Sequence, residues 1–167
     1  NRGIEAFVVS NPCNPTGRVI QGEELQQYVN LSQKYRTTLI LDEFYSHFIY
    51  KQDGTPGDAP VSGAAFVEDV NNDSVLLVDG LTKSFRYPGW RVGWVVGPAS
   101  MIETLDRAGS AIDGGPSRPM QRAAIQALEE TQADQETTAL RNVFSKTRNL
   151  MRKRLKEMGI KCPIDCE

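Results

Sequence analysis

The stretch DGLTKSFRYPGWRVGW, residues 79–94, carries two cations, Lys83 and Arg91, eight positions apart in an apolar segment rich in glycine and aromatic residues. Between them, only Arg86 adds a charge. Lys83 is either a surface side chain that rests its aliphatic stem on the protein or an amine that is kept for chemistry. A lone lysine is far more often the former, so the neighbouring segments must decide between the two.

This stretch includes parts of two apolar runs, SVLLVDG (74–80) and WRVGWVVG (90–97), that are typical of buried strands. Two further runs, EAFVVS (5–10) and TTLILD (37–42), precede them. Strands that alternate with helical or long connections predict an α/β fold, in which helices flank a mostly parallel sheet joined by right-handed crossovers.

Four helices are predicted from apolar residues at helical spacing and from capping residues, over residues 22–36, 99–113, 119–130 and 134–158. The apolar stripe of the last helix comprises Leu140, Phe144, Thr147, Met151, Leu155 and Met158. A basic run beside that stripe is interpreted as a solvated face and comprises Arg148, Arg152, Lys153, Arg154 and Lys156.

Composition excludes several classes of function. The 167 residues are 40% hydrophobic and 24% charged, with a net charge of −2, so no basic footprint for nucleic acid or an anionic membrane is present. Three irregularly spaced cysteines favour a reduced, cytoplasmic protein over a disulfide framework. Cys162 and Cys166 form a C-x-x-x-C pair, but no histidine or second pair lies nearby, and we expect no metal site.

Three side chains of functional types follow three successive strands. Asn14 lies in the loop after the first strand, Asp42 ends the second, and Lys83 follows the third. Taken singly, Asn14 before Pro15 is a turn former and Asp42 is a loop cap. Ligands of open parallel sheets bind at the carboxyl ends of the strands, so the three together predict a site at that edge.

The residue types point to an aldehyde cofactor with a phosphate. A lysine amine forms Schiff bases with carbonyl compounds, including the aldehyde of pyridoxal phosphate. A carboxylate such as Asp42 holds the protonated ring nitrogen of that cofactor, and an arginine such as Arg91 suits its phosphate. The phenolic oxygen needs hydrogen-bond donors, which an amide and the hydroxyl of Tyr45, three residues after Asp42, can supply.

The segments NPCNPTG (11–17), DEFY (42–45) and TKSFRYPGWRVGW (82–94) together resemble the class I/II aminotransferases of the fold type I pyridoxal-phosphate enzymes. The resemblance covers essentially the whole chain. It implies that residues 1–132 belong to a large, cofactor-binding domain, and that residues 133–167 form an interdomain helix and the start of a small domain.

The resemblance also implies the role of each residue. Lys83 would form the Schiff base with the cofactor and then carry the proton between the substrate Cα and the cofactor C4′. Asp42 would pair with the pyridinium nitrogen, while Tyr45 and Asn14 would donate to the phenolate oxygen. The phosphate would be bound by the remaining two residues, Thr82 and Arg91.

Two departures from the family pattern stand out. Gly80 occupies a position where the family often has a serine that touches the phosphate. The chain has no counterpart of the family's N-terminal half or of its substrate-binding C-terminal arginine. It is therefore expected to be an internal piece of a longer protein and to be inactive alone.

The implied function is amino-group transfer between an amino acid and a 2-oxo acid, by a homodimer in the full-length protein that has no nucleic-acid or membrane partner. Two alternatives stay open on these residues: another fold type I enzyme, such as a C–S lyase, a decarboxylase or an oxidase, and an aminotransferase-like effector domain of a transcription regulator. The lone His47 is predicted to be a packed or rim histidine rather than a catalytic one.

Overall fold

A computed structural model describes residues 3–161 and places four strands in one sheet. The strands lie in the order β1-β2-β3-β4, with β1, β2 and β3 parallel to one another. Their register aligns Ser10 with Asp42 and Asp42 with Val78. This architecture confirms the predicted mostly parallel sheet with flanking helices. The strand bounds are Ala6–Ser10, Thr38–Asp42, Val75–Gly80 and Gly93–Val96.

The fourth strand runs antiparallel to β3 and pairs Gly93 with Gly80. Residues 81–92 connect the two strands and contain a 3-10 turn, Pro88–Trp90, but no α-helix. A parallel partner needs a crossover, usually helical, that carries the chain back along the sheet. Without one, the chain turns back on itself, so the predicted crossover is wrong for this connection.

All four predicted helices are present. Helices α1 and α2 end within one residue of their predicted bounds, whereas α4 begins at Glu130 rather than near residue 134. The α3–α4 break falls at Leu128 and Glu129, and Glu129 has extended backbone angles. The helix bounds are α1 Gly22–Tyr35, α2 Ala99–Ile112, α3 Arg118–Ala127 and α4 Glu130–Glu157.

The first core lies between α1 and one face of the sheet. Leu25 and Val29 of α1 are 1% and 0% exposed, and they pack in one cluster with Leu39, Leu41 and Val75. Side chains alternate along a strand, so residues 39 and 41 share the face that α1 covers. Burying each such side chain contributes about 2 kcal/mol.

The opposite face of the sheet carries the end of β2. By the same alternation, Asp42 shares that face with its partner Val78 and with Gly80. On the same face, Val8 of β1 is 69% exposed. The carboxylate of Asp42 therefore leaves the sheet on the side away from α1.

A second core holds the segment that follows β3. Leu81 is fully buried, and it packs in one cluster with Phe85, Val92 and Ala124 of α3. These contacts fix the residues on both sides of Lys83 against the rest of the fold.

Helix α4 is held more by polar contacts than by its apolar stripe. Leu140 is 2% exposed, but Met151 and Met158 are 55% and 64% exposed. Polar groups of the helix, by contrast, contact the loop after β2: the Asn149 side-chain amide donates to the Gly54 carbonyl at 2.9 Å, and the Arg141 guanidinium donates to the Gly57 carbonyl at 2.9 Å. The predicted stripe therefore contributes the buried Leu140 and the Phe144 ring, which meets Phe48 edge to face with 5.1 Å between ring centres, while its two methionines are exposed.

The basic run of α4 divides into two parts. Arg152, Lys153, Arg154 and Lys156 are exposed, as the solvated-face interpretation predicts. Arg148 is half-buried, and its guanidinium lies 4.9 Å from the centre of the Tyr50 ring. The solvated-face interpretation is wrong for this residue. None of the helices within residues 3–161 combines the length and hydropathy needed to cross a lipid bilayer.

Candidate functional site

The parallel register brings the predicted site residues to one edge of the sheet. Asp42 ends β2, and its neighbour across the ladder is Ser10, the last residue of β1. The loop after β1 carries Asn14, and the loop after β3 carries Lys83. Three carboxyl-terminal strand ends therefore place an amide, a carboxylate and an amine in one region.

Asn14 and Tyr45 are in direct contact. The Asn14 side-chain amide donates to the Tyr45 hydroxyl at 3.4 Å. The loop that carries Asn14 is anchored by Asn11, which is fully buried and exchanges two 2.8 Å hydrogen bonds with the backbone of Ile20. The first asparagine of NPCNPTG is thus structural, and the second presents its amide to the site.

Lys83 lies over the ring of Tyr45, with 5.6 Å between its ammonium nitrogen and the ring centre. Its side chain is exposed, although its neighbours Leu81 and Ser84 are fully buried. Asn14, Tyr45 and Lys83 therefore form one contact group.

Asp42 is half-buried at the end of β2. One of its carboxylate oxygens accepts a hydrogen bond from the Phe44 backbone amide at 3.3 Å. This bond closes the turn that directs the chain toward Tyr45.

The predicted phosphate residues are not in contact with that group within residues 3–161. Arg91 has a left-handed backbone, with φ of 54°, directly after the Pro88–Trp90 turn. Its guanidinium is exposed and donates to the Pro88 carbonyl at 3.3 Å. Thr82 is half-buried beside Lys83. The structure thus brings Asn14, Tyr45 and Lys83 together and leaves the Arg91 guanidinium turned toward its own loop.

Gly80 has no room for a side chain. A methyl group there would lie 2.7 Å from the Gly93 Cα and 2.8 Å from the Val92 carbonyl oxygen. A serine at this position would require β4 to move away from β3. The departure from the family pattern is therefore built into the pairing of the two strands.

Two carboxyl groups that were not predicted from the sequence lie near the site, the buried Glu43 and the half-buried Asp79. Burial raises the pKa of Glu43, although Ser62 and the Gly63 amide donate to it at 2.6 and 2.7 Å. Burial is also the main cause that raises the pKa of Asp79 to about 6, and the charges of Glu43 and Asp42 add to it. The sequence feature that could have identified both residues is the position of an acidic side chain next to the end of a buried strand.

His47 is packed, as predicted. Its ring meets Phe85 edge to face, with 6.2 Å between ring centres. Burial lowers the pKa of His47, and the nearby Arg141 lowers it further, while Asp134 opposes them. Its imidazole is therefore neutral at pH 7.

A cleft of about 390 Å³ opens beside Asn14 and Tyr45. Its other walls come from aromatic residues after β2 and from α4, including Phe48, Tyr50 and Phe144. Across residues 3–161, no group of three or more His, Cys, Asp or Glu side chains could hold a metal ion, and Cys162 and Cys166 lie outside that range. Of the predicted site residues, Asn14 and Tyr45 line this cleft, whereas Lys83 and Asp42 lie outside its walls.

Comparison with known proteins agrees with this geometry. The family model described as "Aminotransferase class I and II" matches residues 1–167. An aspartate aminotransferase of Pyrococcus abyssi is 30% identical over 93% of the chain, and an LL-diaminopimelate aminotransferase of Halothermothrix orenii is 31% identical over 98%. The chain spans 38% and 40% of the length of these two curated relatives.

Solved structures give the same result. The aspartate aminotransferase of Thermus thermophilus with maleate superimposes with a TM-score of 0.81 at 28% identity, over 94% of this chain and 39% of that one. The aromatic aminotransferase of Pyrococcus horikoshii gives a TM-score of 0.80 at 30% identity, over 93% and 40%.

Proposed function

Because this chain belongs to the class I and II aminotransferases, we propose that the protein transfers amino groups between an amino acid and a 2-oxo acid with pyridoxal phosphate as its cofactor. The observation that carries the proposal is the contact group around Tyr45, whose hydroxyl accepts a hydrogen bond from the Asn14 amide and whose ring lies 5.6 Å from the Lys83 amine. The named relatives favour this reaction over the lyase, decarboxylase, oxidase and regulator alternatives.

The residues present fit the cofactor by the chemistry of their donors. Lys83 would hold the aldehyde carbon covalently through its amine, and Asn14 and Tyr45, whose polar atoms lie 3.4 Å apart, would share the phenolic oxygen. Asp42 would accept a hydrogen bond from the protonated ring nitrogen. The Thr82 hydroxyl and the Arg91 guanidinium would donate hydrogen bonds to the phosphate.

When bound, pyridoxal phosphate supplies an electron sink that stabilises the charge left on the substrate Cα after its proton departs. The Lys83 amine would accept the proton from the substrate Cα and deliver it to the cofactor's aldehyde carbon. Tyr45 and Asn14 would donate to the phenolic oxygen, and the Asp42 carboxylate would keep the ring nitrogen protonated.

The remaining expectations form part of the same proposal. The substrates are small amino acids and 2-oxo acids, and the full-length protein acts as a homodimer. The division into residues 1–132 and 133–167 stays a prediction. The cysteine usage, with Cys13 free and half-buried, supports a reducing, cytoplasmic compartment.

An absorbance spectrum of the full-length protein with pyridoxal phosphate, followed by borohydride reduction and peptide mapping, tests the proposal. We expect a long-wavelength band and a reduced label on Lys83, both absent from Lys83→Ala. In a separate, unreduced sample, incubation with an amino acid should remove the band, and a 2-oxo acid should restore it. Label spread over exposed lysines such as Lys153 and Lys156 would overturn the assignment.

A further inference from the structure

Phe44 stands between two of the site residues, Asp42 and Tyr45, and its ring reaches two other strands. A methyl group on Gly80 of β3 would lie 3.0 Å from the Phe44 Cε1 atom. A methyl group on Gly93 of β4 would lie 3.7 Å from its Cζ atom. The edge of one ring therefore rests on the backbone of both strands.

This close approach requires the two glycines. Gly80 and Gly93 are direct partners in the β3–β4 ladder, and neither has a side chain to fill the space above it. They leave a flat surface on the same face of the sheet as the Asp42 carboxylate. A side chain at Gly80 would crowd the Phe44 ring directly, whereas one at Gly93 would crowd the Asp79 carbonyl oxygen at 3.0 Å and meet the ring at ordinary contact distance.

The backbone of Phe44 adds a second link to the lysine loop. The Ser84 hydroxyl, which is fully buried, donates to the Phe44 carbonyl at 3.4 Å. Gly80 lies three residues before Lys83, Ser84 one residue after it, and Gly93 two residues after Arg91. The ring and the carbonyl of one residue thus contact the chain on both sides of Lys83.

We propose that Phe44 is a positioning residue, which sets the distance between the Asp42–Tyr45 turn and the loops that carry Lys83 and Arg91 by packing on Gly80 and Gly93. The inference rests on the proposed function in that these loops are the cofactor-binding ones. In this role Phe44 acts through the spacing of the neighbouring site residues.

The test compares Phe44→Leu with Phe66→Leu in the full-length protein. Phe66 is a half-buried phenylalanine that packs against the first core, so its truncation controls for lost apolar contact away from the site. We expect Phe44→Leu to weaken pyridoxal phosphate binding roughly 10- to 100-fold, because displaced groups bind and react poorly. Phe66→Leu should lower Tm by about as much as Phe44→Leu does, but it should leave the Kd for pyridoxal phosphate unchanged.

Phe44→Met provides the rescue, since an unbranched side chain of similar length can still cover both glycines. It should restore most of the cofactor affinity. Equal effects of Phe44→Leu and Phe66→Leu on the Kd would overturn the proposal.

Hydrogen exchange on the cofactor-free protein separates this inference from the proposed function. Phe44→Leu should speed amide exchange in residues 42–46 and 80–84, whereas Phe66→Leu should leave both segments unchanged. Wild-type protein that binds no cofactor would refute the proposed function while leaving this readout intact. Unchanged exchange in Phe44→Leu would refute the positioning role.

Discussion

Asn14 and Tyr45 are 31 positions apart in the sequence, yet the side-chain amide of the first donates to the hydroxyl of the second at 3.4 Å. Parallel pairing of β1 and β2 brings them together, because it aligns Ser10 with Asp42 and each site residue follows its strand closely. The two donors can therefore converge on one oxygen of a ligand.

Tyr45→Phe should weaken pyridoxal phosphate binding about five- to tenfold, since it removes one donor worth about 1 kcal/mol and keeps the ring beneath Lys83. Asn14→Ala should have a similar effect. The two losses should not add in the double variant, because the groups touch each other. Absorbance titration of each variant with the cofactor gives these affinities.

Tyr35→Phe is the matched control, because Tyr35 is 65% exposed on α1. It should leave the affinity at the wild-type value. Strictly additive losses in the Asn14/Tyr45 double variant would contradict a shared oxygen.

Arg91→Lys should weaken binding of pyridoxal phosphate about tenfold and leave binding of pyridoxal unchanged. An arginine presents a planar pair of donors to a phosphate, and a lysine offers only a point charge. Fluorescence titration with the two ligands separates a phosphate contact from a general loss of structure.

Arg107→Lys serves as control, since Arg107 is exposed and its guanidinium donates to the Glu103 carbonyl of its own helix. Equal losses for pyridoxal and its phosphate in Arg91→Lys would show that Arg91 does not bind the phosphate.

The sequence predicted those parts of the fold that depend on local patterns. The runs of β-branched and aliphatic residues located the strands, and the spacing of Leu25 and Val29 identified the buried face of α1. The site residues followed from their places just after strand ends, which the parallel register brings together. Asn14, Tyr45 and Lys83 were therefore predictable as a group.

Features that depend on packing partners were not predictable. The direction of β4 depends on a connection that lacks a helix, and the raised pKa of Asp79 depends on burial among other carboxylates. A periodic pattern shows which residues of α4 share a face but not what covers that face, so the contact of Arg148 with Tyr50 was missed. The packing of Phe44 on Gly80 and Gly93 likewise depends on residues that are distant in the sequence.

Leu25→Ala should destabilise the protein by about 2–5 kcal/mol, because it leaves a cavity between α1 and the sheet. Leu31→Ala in the same helix should change stability by less than about 1 kcal/mol, since Leu31 is 48% exposed. Both variants make the same change in helix propensity. Urea unfolding followed by circular dichroism measures the difference, and equal losses would contradict the assignment of the buried face.

Asp79 should make stability depend on pH. Its pKa is raised from 3.8 to about 6 in the folded protein, chiefly by burial and further by the charges of Glu43 and Asp42. The folded state thus holds this proton more tightly than the unfolded state does. The resulting stabilisation is complete below pH 4 and is lost as the pH rises through about 6.

Asp79→Asn removes this charge and can still accept the hydrogen bond that the Gly80 amide donates to Oδ1 at 2.6 Å. Relative to wild type, the free energy of unfolding of the variant should rise by about 1 kcal/mol from pH 4.5 to pH 8, allowing for solvent screening. Asp106→Asn, at an exposed position of α2, should show no such trend. Urea unfolding at the two pH values measures both, and a gain that is equal at pH 4.5 and pH 8 would show that Asp79 does not titrate between them.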